Sequence, residues 1–381
     1  MASSGTPIVT PPAYSTQSKA VTQVVPWRTA TIRKTQRSVQ NAPAFGAAAV
    51  LDTQTLEGTG YLTNIALRAA TTSAGNIAAV TYLADAPWNV FSNIVLKSVG
   101  ADLVNISGYG LHLLNMYGGN GYRNYAASAD TNVFNASVAV GPGNGGTFVA
   151  QLEIPLSING RSLIGALGNQ NNAVKFQLTS DVNPSTLIYG VAPTNPPTLQ
   201  VNRLMDFATV PPPVNAMNQP QEVVPGWYGV QHYITQLRSE SAPVASSQIN
   251  HFLKDIGRTI RTIVLVFRDS TGARVDAALP TNITFYLGSD PWFSESAADR
   301  RVKMYNRYGF DAPAGVLVYD FISDFGPAAG FELGDDWMNT FNVPNAQIQC
   351  TYPAFANSPG TLDIITDSIL IPQGMSLLGM V

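Results

Sequence analysis

The sequence predicts a mainly β chain folded as two consecutive domains, with short helices set between strands. Three observations carry that prediction. The length, 381 residues, exceeds what one small core usually serves and suits two units. Short runs rich in Val, Ile, Thr and aromatic residues recur between Gly, Pro, Asn and Asp. A Pro-rich stretch divides the chain near its middle.

In order, the expected strands include AAVTYLAD (78–85), NIVLKSV (93–99), GTFVAQLEIPL (146–156), VKFQLTSD (174–181), RTIVLVFRD (261–269), NITFYLG (282–288), GVLVYDFI (315–322), AQIQCTY (346–352) and TLDIITDSILI (361–371). Several are apolar without alternation, which suits strands covered on both faces, between two sheets or against a neighbouring subunit. Two helices interrupt them. Ser107 can cap a helix over 109–117 that Gly118 ends, which places His112 in a short apolar helix. Ser296 and Asp299 have capping-box spacing, residues 297–308 lack strong breakers, and Gly309 can take the left-handed position. On that second helix Val302, Met304, Tyr305 and Tyr308 form the expected apolar face, with Arg300, Arg301, Lys303 and Arg307 opposite.

The halves resemble each other weakly. AAVTYLADAPW leads on to the first helix and then TFVAQLEIPL; NITFYLGSDPW leads to the second helix and then GVLVYDFI. Between them FATVPPPVNAMNQPQEVVPGW cannot support a central strand and favours a stiff extended connection. The expected division is a basic N-terminal arm (1–40), a first unit (41–213), a Pro-rich linker (214–225) and a second unit (226–381). Two β domains of this size, each with a helix in a long connection, fit an eight-stranded jelly roll better than an immunoglobulin-like sandwich.

Charged residues make up 12% of the chain, against about 25% in a typical soluble protein, so much of the surface is uncharged or hidden against other copies. Lys and Arg total 21 against 24 Asp and Glu, a net charge of −3, which argues against a direct, sequence-specific nucleic-acid partner. The charge is uneven: Lys19, Arg28, Arg33, Lys34 and Arg37 give residues 1–51 a charge of +5 with no acid, leaving 16 basic and 24 acidic residues, or −8, for the rest. A basic arm on an acidic body suits an anionic surface. No secretory leader and no long apolar span are read. Cys350 is the single cysteine, so no intrachain disulfide is expected, and its expected role is that of a small buried apolar residue.

Catalytic chemistry finds little support. No carboxylate lies near His112 in sequence to orient it. GPGNGG (141–146) lacks the Lys-Ser/Thr ending of a phosphate loop and reads as a surface turn. Asp335–Asp336, and Asp363 with Asp367, read as turn and strand-edge acids rather than paired catalytic carboxylates or a calcium site. Trp88 and Trp292 suit packed barrel corners; on the rival reading Trp88, Trp292 or Trp337 stacks on a sugar. The sequons at Asn105, Asn135 and Asn282 are three-residue matches without weight. No catalytic residue, cofactor or metal is expected.

The stretches NIVLKSVGADLVNISGYGLHLLN (93–115), GTFVAQLEIPLSINGRSLIGAL (146–167) and ADRRVKMYNRYGFDAPAGVLVYDF (298–321) resemble the double jelly-roll major capsid proteins of tailless, internal-membrane phages, the tectivirus group. The resemblance spans most of the chain in order, through its pattern of strand, helix and turn; the low-charge, Gly-Asn-Pro-rich loops depart from it. It implies a structural virion protein that trimerises into pseudo-hexagonal capsomers, tiles an icosahedral shell over an internal membrane, and meets penton and minor capsid proteins, with assembly in the host cytoplasm. It also implies an inner-face arm, with Lys19, Arg28, Arg33, Lys34 and Arg37 as contacts to the viral membrane or a minor protein. The alternatives are a carbohydrate-binding or hydrolytic two-domain β protein, or a spike or vertex protein of the same kind of virus.

Overall fold

A computed structural model describes residues 24–371 apart from 25, 43–44, 57–59, 73–74, 77, 99–100, 118–135, 142, 159–164, 170–175, 225–228, 242–246, 323–336, 355–356 and 358. Lys19, Gly118, Asn135, Asp335 and Asp336 lie outside the described residues.

A short helix α1 (Trp27–Ala30) precedes the eight principal strands of the first barrel, β1 (Arg33–Ala42), the interrupted β2 (Ala49–Val50 and Gln54–Thr55), β3 (Gly60–Thr72), β4 (Phe91–Ser98), β5 (Ala101–Ile106), β6 (Phe148–Pro155), β7 (Gln177–Val182) and β8 (Thr198–Ala208), with the two- and three-residue strands Thr81–Tyr82, Ala136–Val138, Leu167–Asn169 and Tyr189–Val191 between them. Eight more principal strands follow the Pro-rich connection, β9 (Gln231–Ser241), β10 (Ser247–Phe252), β11 (Thr259–Arg268), β12 (Asn282–Leu287), β13 (Asp290–Glu295), β14 (Val316–Asp320), β15 (Ala346–Tyr352) and β16 (Gly360–Leu370), with the two-residue strand Met338–Asn339 paired to β11. Helix α2 (Gly108–Tyr117) lies between β5 and β6, and α3 (Ala297–Tyr308) between β13 and β14.

The first set pairs in the orders 1-8-3-6 and 2-7-4-5, and the second in the orders 9-16-11-14 and 10-15-12-13. Adding eight to each number of the first barrel gives the second. This interleaving of early and late strands is that of an eight-stranded jelly roll, and it occurs twice. The barrels are joined at β5, which pairs in parallel with β9 through Val104↔Ile234 and Asn105↔Thr235, so one sheet continues from the first barrel into the second.

That junction explains the unalternating strands. In β11, Ile263, Leu265 and Phe267 fill the second barrel, while Val264 and Val266 join the core of the first barrel and α2. Both faces are covered, so both are apolar. Strands β6 and β15 have one covered face and alternate buried with half-buried positions, the period-two pattern of a half-solvated sheet.

Four sequence expectations are corrected. Only Thr81–Tyr82 of the AAVTYLAD run is strand; it ends in turns because Asp85–Pro87 bends the chain before β4. The two DxPW-like motifs are not equivalent: Asp85–Trp88 precedes β4, whereas Asp290–Trp292 opens β13, one strand later in the barrel scheme. Helix α3 has the expected cap, with Ser296 Oγ accepting from the Asp299 N–H and Gly309 at φ 78°, but its inward face differs. Val302 and Tyr305 are 60% and 52% exposed, while Ala297 and Met304 are buried. Arg300 donates to the Val318 carbonyl at 2.5 Å, and Arg301 and Arg307 pair with Asp276 and Asp320; the arginines anchor the helix to β14 and to the short turn of helix at Asp276. Finally, Asp363 and Asp367 are not strand-edge acids. They are buried on β16, which is paired on both sides, by β9 and β11.

Candidate functional site at the junction between the barrels

The chemistry-bearing side chains collect where the two barrels meet. All ten residues of α2 are buried, and its two N-terminal glycines permit this. A Cβ on Gly108 would stand 2.3 Å from the Trp88 carbonyl oxygen, and one on Gly110 would stand 2.9 Å from Ile365 Cδ1 and 3.0 Å from Gln236 Oε1 of the second barrel. The helix enters at that depth because Ser107 Oγ caps the Gly110 N–H and Gln236 Oε1 accepts the Ser107 N–H at 2.8 Å. At its other end Asn115 bonds both the carbonyl and the N–H of Glu153, satisfying backbone groups of β6.

His112 stacks on Trp88, ring centroids 4.0 Å apart and planes at 10°. Burial, aided by the nearby Arg274 charge, lowers its pKa to about 3, and Nε2 has no partner among the described residues. An imidazole held neutral, with neither an orienting carboxylate nor access to solvent, is a packing residue.

Ionic contacts clamp the barrels around this helix. Asp85, before β4, accepts from Arg274 at 2.5 Å and from Arg268 at 2.7 Å, and the Arg274 guanidinium also donates to the Ala84 carbonyl and lies 4.7 Å over the Tyr109 ring. Arg268 reaches back to Asp363 at 3.2 Å, and Asp363 binds Arg238 at 2.7 Å. Burial would lower the Arg268 pKa, yet Asp85 and Asp363 outweigh it and raise the value. A second cluster sits four residues along β16: Asp367 pairs with Arg261 at 2.7 Å and with His232 at 2.5 Å, and the other His232 ring nitrogen faces the Pro155 carbonyl of the first barrel at 2.6 Å. Burial acts to raise the Asp367 pKa, but Arg261 and His232 hold the carboxyl below the usual range. Buried pairs of this kind add little net stability, but losing one partner strands a charge. Here they fix one docking geometry of the barrels.

The candidate basic residues do not form a cluster with that network. Arg28 lies in α1; Arg33, Lys34 and Arg37 lie in β1 and are exposed. Strand β1 ends its sheet, pairing with β8 alone among the described strands. Arg37 donates to Asn202 Oδ1 at 2.7 Å, while Arg33 and Lys34 stand at the strand start beside α1. The basic, acid-free composition puts Arg33–Gln40 in the expected arm, whereas the ladder with β8 makes the segment a strand.

The other candidates are accounted for. Trp88 and Trp337 are buried and Trp292 is 44% exposed. Cys350 is buried. The described part of the 141–146 stretch is turn. Among the described residues no group of three His, Cys, Asp or Glu side chains is placed to hold a metal, and no helix is long and apolar enough to cross a membrane.

No protein-family model and no curated protein matches the sequence. Solved structures do match. The atomic structure of Sulfolobus Turreted Icosahedral Virus aligns at TM-score 0.64 and 14% identity over 92% of this chain and 94% of that one. The PBCV-1 virus capsid aligns at TM-score 0.58 and 13% identity over 89% and 94%. The major capsid protein P2 of Bacteriophage PM2 aligns at TM-score 0.50 and 9% identity over 89% and 99%. At these identities the shared property is the fold, two jelly rolls in one chain.

Proposed function

We propose that this double jelly roll is a viral major capsid protein, a structural subunit that catalyses no reaction. Three copies associate into a pseudo-hexagonal capsomer, and capsomers tile an icosahedral shell over an internal membrane. The reading rests on one observation, the same eight-strand order occurring twice, in barrels joined through β5 and β9 and by the ion pairs of Asp85. The names of the solved structures with this fold, a virus capsid and a phage major capsid protein among them, support it.

Within the chain, β5 at the edge of one barrel meets β9 at the edge of the next. The corresponding strands on the outer flanks are β13 and β1, each ending its sheet among the described strands. Repeating the same contact between copies brings β13 of one to β1 of the next. Such a head-to-tail contact closes into a ring when the rotation allows, and three copies supply six barrels. The scarcity of charge agrees with faces buried on assembly. Penton and minor capsid proteins would complete the shell, put together in the host cytoplasm.

The basic residues Lys19, Arg28, Arg33, Lys34 and Arg37 are the proposed inner-face contacts, each worth roughly 1 kcal/mol near an anionic lipid surface. Because β1 begins at Arg33, a truncation that tests the arm has to stop before Trp27. Light scattering of the purified protein, with negative-stain images of the same sample, tests the capsomer. A six-lobed trimer supports it; a monomer removes its main physical prediction and brings the sugar-binding alternative forward. Copy number per particle separates a major capsid protein from a spike or vertex protein.

A further inference from the structure

The connection between the barrels is more than a spacer. Residues 209–224, TVPPPVNAMNQPQEVV, contain one charged side chain, Glu222, and Oε2 of that residue accepts the Trp27 N–H of α1 at 3.0 Å. The stretch folds into a tight hairpin. Val214 bridges Pro220, and the Gln221 N–H donates to the Pro213 carbonyl at 2.8 Å. Asn215 Oδ1 accepts the Met217 and Gln219 N–H groups, each at 2.9 Å, the Asn218 N–H returns to the Asn215 carbonyl, and Asn218 takes φ 57° at the tip. Thr209 is laced to Thr31 and Ile32 just before β1.

This well-braced loop leaves its apolar side chains in water. Met217 is 79% exposed, Val214 48%, Val210 40%, and Ile32 beside it 65%. Folding has fixed them outward rather than burying them. Arg33 and Lys34 begin β1 next to Ile32.

We propose that the hairpin at 213–221 is a preformed wedge that seats Met217 and Val214 among the headgroups and upper acyl chains of an anionic bilayer, with Arg33 and Lys34 engaging lipid phosphates alongside. The proposal rests on the membrane-facing reading above and extends it to a second element of the chain. Three physical features favour lipid over a protein partner. The N–H groups of Asn215, Met217, Asn218, Gln219 and Gln221 are bonded within the hairpin and the prolines have none, so entering a less polar medium strands few donors. Met217, 79% exposed, stands at the tip beside Asn218 and so is the first side chain that an approaching bilayer meets. Apolar insertion joined to adjacent cations is the two-signal arrangement that interfacial anchoring requires. Rigidity adds to it, since little chain entropy is lost on insertion.

The test uses the full chain carrying Met217→Cys with an environment-sensitive dye. Cys350 is buried and its thiol is pushed up to about 12 by burial, so labelling goes to the hairpin. Phosphatidylcholine vesicles with and without phosphatidylglycerol are added, and flotation of unlabelled wild type and Met217→Asp is measured beside them. The expected result is a blue-shifted, brighter dye with phosphatidylglycerol only, and flotation of Met217→Asp weakened about tenfold at unchanged native mass. If the wild type floats but the dye stays in water and Met217→Asp floats equally well, the wedge is overturned and the membrane reading stands. No flotation of the wild type overturns both. A dye shift that follows protein concentration without vesicles assigns the hairpin to a contact between copies and also overturns the wedge.

Discussion

His112 makes the fold acid-sensitive by an amount the structure sets. Burial, then the Arg274 charge, lowers its pKa from the ordinary 6.5 to about 3 in the folded chain. The sign follows from proton counting. Above pH 6.5 both states hold a neutral ring and the residue contributes no pH dependence. Between 6.5 and 3 the unfolded state binds a proton that the folded state refuses, so stability falls as pH falls, by about 1.4 kcal/mol per pH unit. At pH 5 the accumulated cost is about 2 kcal/mol. His112→Phe keeps a ring stacked on Trp88 and removes the unpartnered Nε2. Urea unfolding at pH 7 and pH 5, at one protein concentration, should show the wild type losing about 2 kcal/mol more than the variant over that interval. His251, whose pKa burial lowers to about 4, titrates in both proteins and cancels in the comparison. Identical losses in the two would refute the reasoning, because they would mean that the buried ring accepts its proton without penalty.

Other outcomes follow from the junction and the core. Asp85→Ala leaves Arg274 and Arg268 without their shared carboxylate and should cost about 3 kcal/mol in urea unfolding, with faster proteolysis between the barrels. Gly108→Ala forces a Cβ to 2.3 Å from the Trp88 carbonyl oxygen; a loss of about 2 kcal/mol is expected, and unchanged stability would show that α2 is not wedged as described. Cys350, buried with its thiol pushed up to about 12, should resist a thiol reagent at pH 8 until the chain is unfolded, which a time course with and without denaturant reads directly.

The sequence by itself determined the β class, both helices α2 and α3 and the cap of α3, because the helices and the cap depend on interactions spanning a few residues. Ser296 and Asp299 meet within one turn. Tertiary structure alone decided what required a distant partner. RKTQRSVQNA is a strand because β8 pairs with it from the far end of the first barrel. The inward face of α3 is set by Asp276, Val318 and Asp320 rather than by hydrophobic spacing. Asp363 and Asp367 look like solvated acids until β9 and β11 bring arginines to them. Their partners, and those of Asp85, lie 95 to 189 residues away in the chain. A local pattern records which face of an element is apolar, whereas an ion pair across a barrel junction leaves no periodicity in either strand that forms it.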